Sequence, residues 1–264
     1  MRQFSAEYLR DTRRGMWTDS REALADLELP TRRRILDAGC GTGELTRVLA
    51  EESGGRVVGA DVDSGLLAVA AEHVPVVRAD AGRLPFGDGA FDLVVCQALL
   101  INLPDPERAV REFARASSEL VAAVEPDNGA VTVDSTVDAE PPLARRARRR
   151  FLDGVETDVT LGAGTRGVFE SAGLEVVSTT RYDHEITVAP PYSSAAVESA
   201  RRKVTGEALA DDRETMLSGD TSESEFDELR TEWRAMGRDV VDQMQSEEYV
   251  RTETVPFYVT VGRV

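Results

Sequence analysis

Lysine is almost missing from this 264-residue sequence: Lys203 is the only one, and every other cation is arginine. Cysteine and histidine are nearly as scarce, with two of each. Cys40, Cys96, His73 and His184 show no paired C-x-x-C spacing, so no metal site is expected unless carboxylates build it. Two cysteines cannot form a disulfide framework. No apolar run approaches the roughly eighteen residues of a membrane span. The charged N-terminal stretch MRQFSAEYLRDTRRGMW lacks the apolar region of a signal peptide. These absences predict a soluble, cytoplasmic protein with no membrane partner.

What is abundant is negative charge, a net -17. Such a surface stays hydrated where high salt screens its repulsion. Excess acid with almost no lysine resembles the proteins of salt-loving archaea, and a halophilic chain is expected. GC-rich codon usage, which favours arginine over lysine, is the competing account, but it leaves the acid excess unexplained. A polyanionic partner such as nucleic acid is disfavoured. Hydrophobic residues, at 41%, suffice for a sizeable core.

Short apolar runs alternate with helical patterns through the first half. RRILDA, RVVGAD (56–61), VPVVRAD (74–80), FDLVVCQ (91–97) and LVAAVEP (120–126) read as strands. Helices are expected over 44–50, 64–73 and 105–117, the last with Asp105 as N-cap and Pro106 at its first position. Continuous rather than alternating apolar runs indicate strands covered on both faces. The fold class is therefore α/β, a doubly wound Rossmann-like mixed sheet. Residues 1–30 read as a helical segment stopped by Pro30. In the second half a basic helix (142–155), a helix closed by Gly173, a strand, two further helices and a final strand (255–264) are expected. The acidic DDRETMLSGDTSES between the two helices reads as a loop.

The chemistry centres on DAGCGTG, residues 37 to 43. It lacks the third glycine of a G-x-G-x-x-G dinucleotide turn and the lysine of a phosphate-binding loop. An acid two residues before alternating glycines resembles motif I of the class I S-adenosylmethionine-dependent methyltransferases. Three further stretches follow in that family's order: GADVD after the second strand, RADAGRLPFGDGAFDLVV around the third and fourth, and CQALLINLPDPERAVREFAR beyond. The resemblance covers about residues 31 to 126 and implies a seven-stranded sheet with S-adenosylmethionine as cofactor. It implies that Asp37 attracts the cofactor's ammonium, while Gly39, Cys40, Gly41 and Gly43 bring the backbone close. The helix N-terminus just beyond favours the carboxylate end. Asp61 and Val62 would meet the ribose, Asp80 and Ala81 the adenine, and Gln97 the methionine portion. In the N-terminal segment, Tyr8 and Arg13 are candidates to close over the cofactor, Arg13 by a bidentate contact with its carboxylate.

No universal catalytic residue exists in that family, so none is carried over. The resemblance implies a small-molecule acceptor, and a monomer or homodimer is expected. An RNA or protein methyltransferase and a non-catalytic cofactor-binding module are the alternatives. The expected organisation is an N-terminal helical lid (1–30), a core (31–189), an inserted helical cap (190–253) and a final core strand (254–264). The stretch after Pro126 and the cap would roof the acceptor site, with Phe151, Tyr192, Trp233 and Tyr249 as possible lining residues. Cys96 reads as a buried small hydrophobe, since Val95 rather than proline precedes it. GAGTRG (162–167) reads as a loop before a helix, APPY (189–192) as a turn, and RRARRR (145–150) as a solvated helix face. His184 is the best lone general-base candidate, though an ordinary strand histidine is the simpler reading.

Overall fold

The computed structural model describes residues 16–264, and its chain divides into two compact units. One holds the described residues up to Asp127 with Thr160–His184 and Pro256–Val264; the other holds Asn128–Val159 and Glu185–Val255. From sequence, 128–159 was expected with the core. In the structure it packs with 185–255 instead.

The first unit is built on β1 (Arg34–Ala38), β2 (Arg56–Asp61), β3 (Val76–Arg78), β4 (Phe91–Gln97) and β5 (Ser117–Pro126), with parts of β7 (Glu175–Val188) and β8 (Arg251–Arg263). The strand order is β3-β2-β1-β4-β5-β8, with β7 on the other side of β8. The first five strands are parallel, and β8 runs antiparallel to β5, with Val124 opposite Val259. This is the expected doubly wound, mixed seven-stranded sheet. All seven residues of β4 are buried, as a strand covered on both faces requires.

The helices of this unit are α1 (Met16–Asp19), α2 (Glu44–Glu52), α3 (Ser64–Ala70), α4 (Pro106–Ala116) and α6 (Thr165–Ser171); α5 (Glu140–Asp153) belongs to the other unit. Asp105 caps α4 as expected, accepting from the Arg108 amide at 3.0 Å. Ala109, Val110, Phe113 and Ala116 form its buried stripe, packed with Leu36, Val94, Val121 and Phe169.

The second unit contains β6 (Thr132–Ser135), α5 (Glu140–Asp153), α7 (Ser194–Thr205), α8 (Glu207–Ala210), α9 (Arg213–Ser218) and α10 (Glu223–Gln245). Met216, Phe226, Leu229, Met236 and Val240 are at its centre. A capping box between Ser222 and Glu225 starts α10. A Cβ on Gly237 would lie 2.7 Å from the Lys203 backbone, so α7 and α10 approach each other closely there.

Three expectations are corrected. The described part of the 1–30 helix is α1 followed by 3₁₀ turns at Arg21–Leu27 and Leu29–Thr31, and Pro30 sits inside the second turn. A three-residue repeat keeps Leu24 and Leu27 on one buried edge, which a short 3₁₀ segment does well. The acidic loop contains α9, anchored by the buried Met216. The helix expected from 193 onward breaks at Gly206, whose φ of 72° ends α7 in a left-handed cap. The strand β6 was not foreseen. It pairs with residues 251–254 of β8.

Candidate functional site

The glycine turn joins β1 to α2. Gly39, Gly41 and Gly43 have φ of 73°, 56° and 85°, a region that residues with a Cβ rarely adopt. The amides of Gly39 and Cys40 both donate to the Ala60 carbonyl, at 2.7 and 3.0 Å, which fastens the turn to the end of β2. A Cβ on Gly39 would meet Leu99 Cδ1 at 2.8 Å. The turn is thus pinned on one side by β2 and on the other by the segment after β4.

Asp37 is buried, and the Thr46 hydroxyl of α2 donates to its Oδ2 at 2.6 Å. Asp61 ends β2. Its Oδ2 accepts from the Gly41 amide and its Oδ1 from the Asp63 amide, both at 2.9 Å. Each oxygen carries two lone pairs, so each can still accept a hydroxyl. Val62 follows, exposed, with its carbonyl held by Arg78 Nε at 3.0 Å. Asp80 accepts from the Gly82 amide at 2.8 Å, and Ala81 is partly buried.

Gln97 is buried at the end of β4. Trp17 Nε1 donates to its Oε1 at 3.3 Å, and its Nε2 donates to Met16 Sδ at 3.1 Å. The structure therefore brings Asp37, the three glycines, Asp61 and Gln97 together at the C-terminal ends of adjacent strands. Tyr8 and Arg13 lie outside the described residues. The sulfur of Cys40 lies against Gly59, among Leu67, Ala70 and Val74.

Glu125 escaped the sequence reading. It is fully buried at the end of β5 and accepts from the amides of Leu99 and Leu100, at 3.0 and 2.9 Å. An acid inside an otherwise apolar strand was the available signal. Cys96 is buried as expected. Burial, then the neighbouring Glu125 and Asp37 charges, push its thiol well above the ordinary range, so it stays protonated.

His184 lines a small pocket with Met16, Trp17, Tyr182 and Phe257. Burial lowers its pKa, which keeps the ring neutral. Three of the five arginines in the run on α5 form ion pairs, Arg146 with Glu232, Arg148 with Glu253 and Arg150 with Glu225, while Arg145 and Arg149 are exposed. GAGTRG forms a 3₁₀ turn leading into α6. Tyr192 donates its hydroxyl to the Tyr249 carbonyl at 3.1 Å. Among the described residues no cluster of His, Cys, Asp and Glu can hold a metal, and no helix is long and apolar enough to cross a membrane.

The turn, the acid after β2 and the post-β4 segment all fall within a stretch that matches a known family, described as a methyltransferase domain, over residues 36–119. Over those residues the chain is similar to a methyltransferase domain. Within the curated proteins, the demethylmenaquinone methyltransferase of Lactiplantibacillus plantarum is 36% identical over 106 residues, which is 36% of this chain and 45% of that enzyme. The enzyme of that name from Mycolicibacterium vanbaalenii is 43% identical over 99 residues, 37% of this chain and 42% of that enzyme. The chain thus spans less than half the length of these relatives. Two solved structures share the fold. A candidate methyltransferase from Bacillus halodurans has a TM-score of 0.56 at 16% identity, covering 93% of this chain and 98% of that one. The YcgJ protein of Bacillus subtilis has a TM-score of 0.52 at 15% identity, covering 92% and 98%.

Proposed function

We propose that the chain transfers a methyl group from S-adenosylmethionine to a small-molecule acceptor. The observation that carries this reading is the coupling of Asp61 to the glycine turn through the Gly41 amide. One carboxylate both shapes the turn and keeps lone pairs for two ribose hydroxyls.

The residues fit the cofactor. Three positive-φ glycines let the backbone approach a ligand without Cβ clashes. Asp37 offers a negative charge to the aminoacyl ammonium, and the first amides of α2 favour its carboxylate. Asp61 would hold the ribose, with Val62 beside it; Asp80 and the Ala81 amide would take the adenine edge. Gln97 would lie along the methionine portion. Tyr8 and Arg13 are proposed to close over it. When bound, the sulfonium supplies an already activated methyl, so the chain's task is orientation and exclusion of water.

The demethylmenaquinone methyltransferases match less than two fifths of this chain, so their acceptor is not transferred to it. Residues outside the matched stretch are proposed to select the acceptor. The RNA alternative is weakened, since three of the five arginines in the α5 run are taken up in ion pairs. A cytoplasmic protein with a salt-adapted surface, acting as monomer or homodimer, completes the reading.

The test is direct. The chain is expected to bind S-adenosylmethionine and S-adenosylhomocysteine by calorimetry, and not NAD. With a methyl-labelled cofactor and fractionated lysate, label should enter the small-molecule fraction. Label entering RNA or protein instead would overturn the acceptor class. Tight cofactor binding with no transfer to any fraction would point to a binding module.

A further inference from the structure

The turn after β4 has an unusual backbone. Ala98 has a φ of 48°, in the left-handed region that a Cβ disfavours. Its amide donates to the Val124 carbonyl at 2.8 Å, and the Asn102 side chain closes back on its carbonyl at 2.9 Å. The next three amides, of Leu99, Leu100 and Ile101, converge on one carboxylate, that of Glu125, at 3.0, 2.9 and 3.3 Å. Such amides are the natural partners of a charged acceptor. Leu99 then carries the turn to the glycine loop, because its side chain lies against the bare α-carbon of Gly39.

We propose that Glu125 is a positioning residue for the cofactor's aminoacyl end: its carboxylate holds the Ala98–Ile101 turn, and through Leu99 the Gly39 segment, in the shape that end requires. The inference rests on the S-adenosylmethionine reading above. Glu125 itself touches no part of the ligand in this account. It acts through Leu99, and on the turn that begins just after Gln97.

Burial pushes the Glu125 pKa up to about 7, against the pull of the three amides. The groups facing it are Cys96 on β4, with Asp37 of β1 beyond, and Tyr258 opposite it on β8. Cys96 remains a thiol throughout. Glu125 therefore changes charge near neutrality, and its protonation weakens the grip on the turn.

The experiment compares S-adenosylhomocysteine with 5′-methylthioadenosine, which lacks the aminoacyl end. Affinities are measured by calorimetry from about pH 8.5 down to about pH 6. In the wild-type chain the homocysteine ligand should weaken about tenfold as Glu125 loses its charge, the size expected for impaired charge-assisted hydrogen bonds. The methylthioadenosine affinity should move less than about twofold. Glu125→Gln should give a flat profile near the wild-type value at low pH. Its stability supplies a second readout. The folded pKa lies above the ordinary 4.5, so the stability contributed by this group is full below that value and lost as pH rises through about 7. The stability difference between the two proteins should therefore shift toward Glu125→Gln as pH rises, while its affinity for the homocysteine ligand falls behind. A merely structural carboxylate would not produce that opposition. If the variant does not fold, the wild-type ratio of the two affinities decides, and a ratio independent of pH overturns the inference. Failure of the wild-type chain to bind either ligand would instead overturn the methyltransferase reading.

Discussion

Both units hold buried or half-buried carboxylates, but they satisfy them differently. In the first unit Asp61 and Glu125 are held by backbone amides, and Asp37 by a hydroxyl. In the second, Glu140 lies among cations and hydroxyls. Lys203, the chain's one lysine, pairs with its Oε1, and Arg251 Nε stands 3.2 Å from the same atom. Ser135 and Tyr249 donate to Oε2 at 2.7 and 2.8 Å. Burial alone would raise the Glu140 pKa, but the Lys203 charge and these bonds outweigh it and hold the group below its ordinary range. Lys203 is lowered by its own burial, which Glu140 only partly offsets. A carboxylate paired with cations is neutralised in place and ties α5, α7 and β8 together. One held by amides keeps spare lone pairs, which is what a ligand needs.

The comparison breaks most visibly at the glycine turn. Gly41→Val should abolish binding of S-adenosylhomocysteine in a folded protein, because a branched side chain does not tolerate the φ of 56° there. Calorimetry with unchanged affinity would remove the turn from the site. In the second unit the expected loss is of stability rather than binding. Lys203→Met leaves Glu140 buried with Arg251 as its remaining cation and should cost about 3 kcal/mol in urea unfolding. Adding Glu140→Leu to Lys203→Met should recover most of that, since an uncompensated charge is worse than none. A double variant as unstable as the single one would show that the pair matters for packing rather than charge.

A finer contrast lies within the first unit. Asp61→Ala should weaken cofactor binding by about 1.5–3 kcal/mol, the range for charge-assisted hydrogen bonds. Asp80→Ala should cost less, because stacking of the adenine would remain. The reverse order would exchange the ends of the ligand. The smallest effect concerns the surface. With a net charge of -17, the melting temperature should rise between about 0.1 and 2 M KCl as the Debye length contracts. Cofactor affinity should change far less, since short, partly buried contacts are poorly screened. A flat or falling melting temperature would favour codon usage as the reason lysine is missing.

Local chemistry made much of the first unit legible in advance. Continuous apolar runs forced β1, β2, β4 and β5 into a sheet covered on both faces, and Asp105-Pro106 announced α4 before any contact was known. The alternating glycines and the acids after β1 and β2 were readable because their backbone demands are local. Residues 1–15, with Tyr8 and Arg13, lie outside what the structure describes. What tertiary structure alone decided depends on partners distant in the chain. Residues 128–159 join 185–255 because Leu143 and Ala147 find Phe226, Leu229 and Met236, and no periodicity within either segment names the other. Lys203 reads as an ordinary surface cation until Glu140, Tyr249 and Arg251 are brought around it. Cys40 sits inside the motif, yet the space beside Gly59 turns its sulfur into the core. Glu125 is one acid in a strand by sequence. Only the fold of the post-β4 turn aims three amides at it, because amides buried in an apolar interior must find an acceptor within the protein.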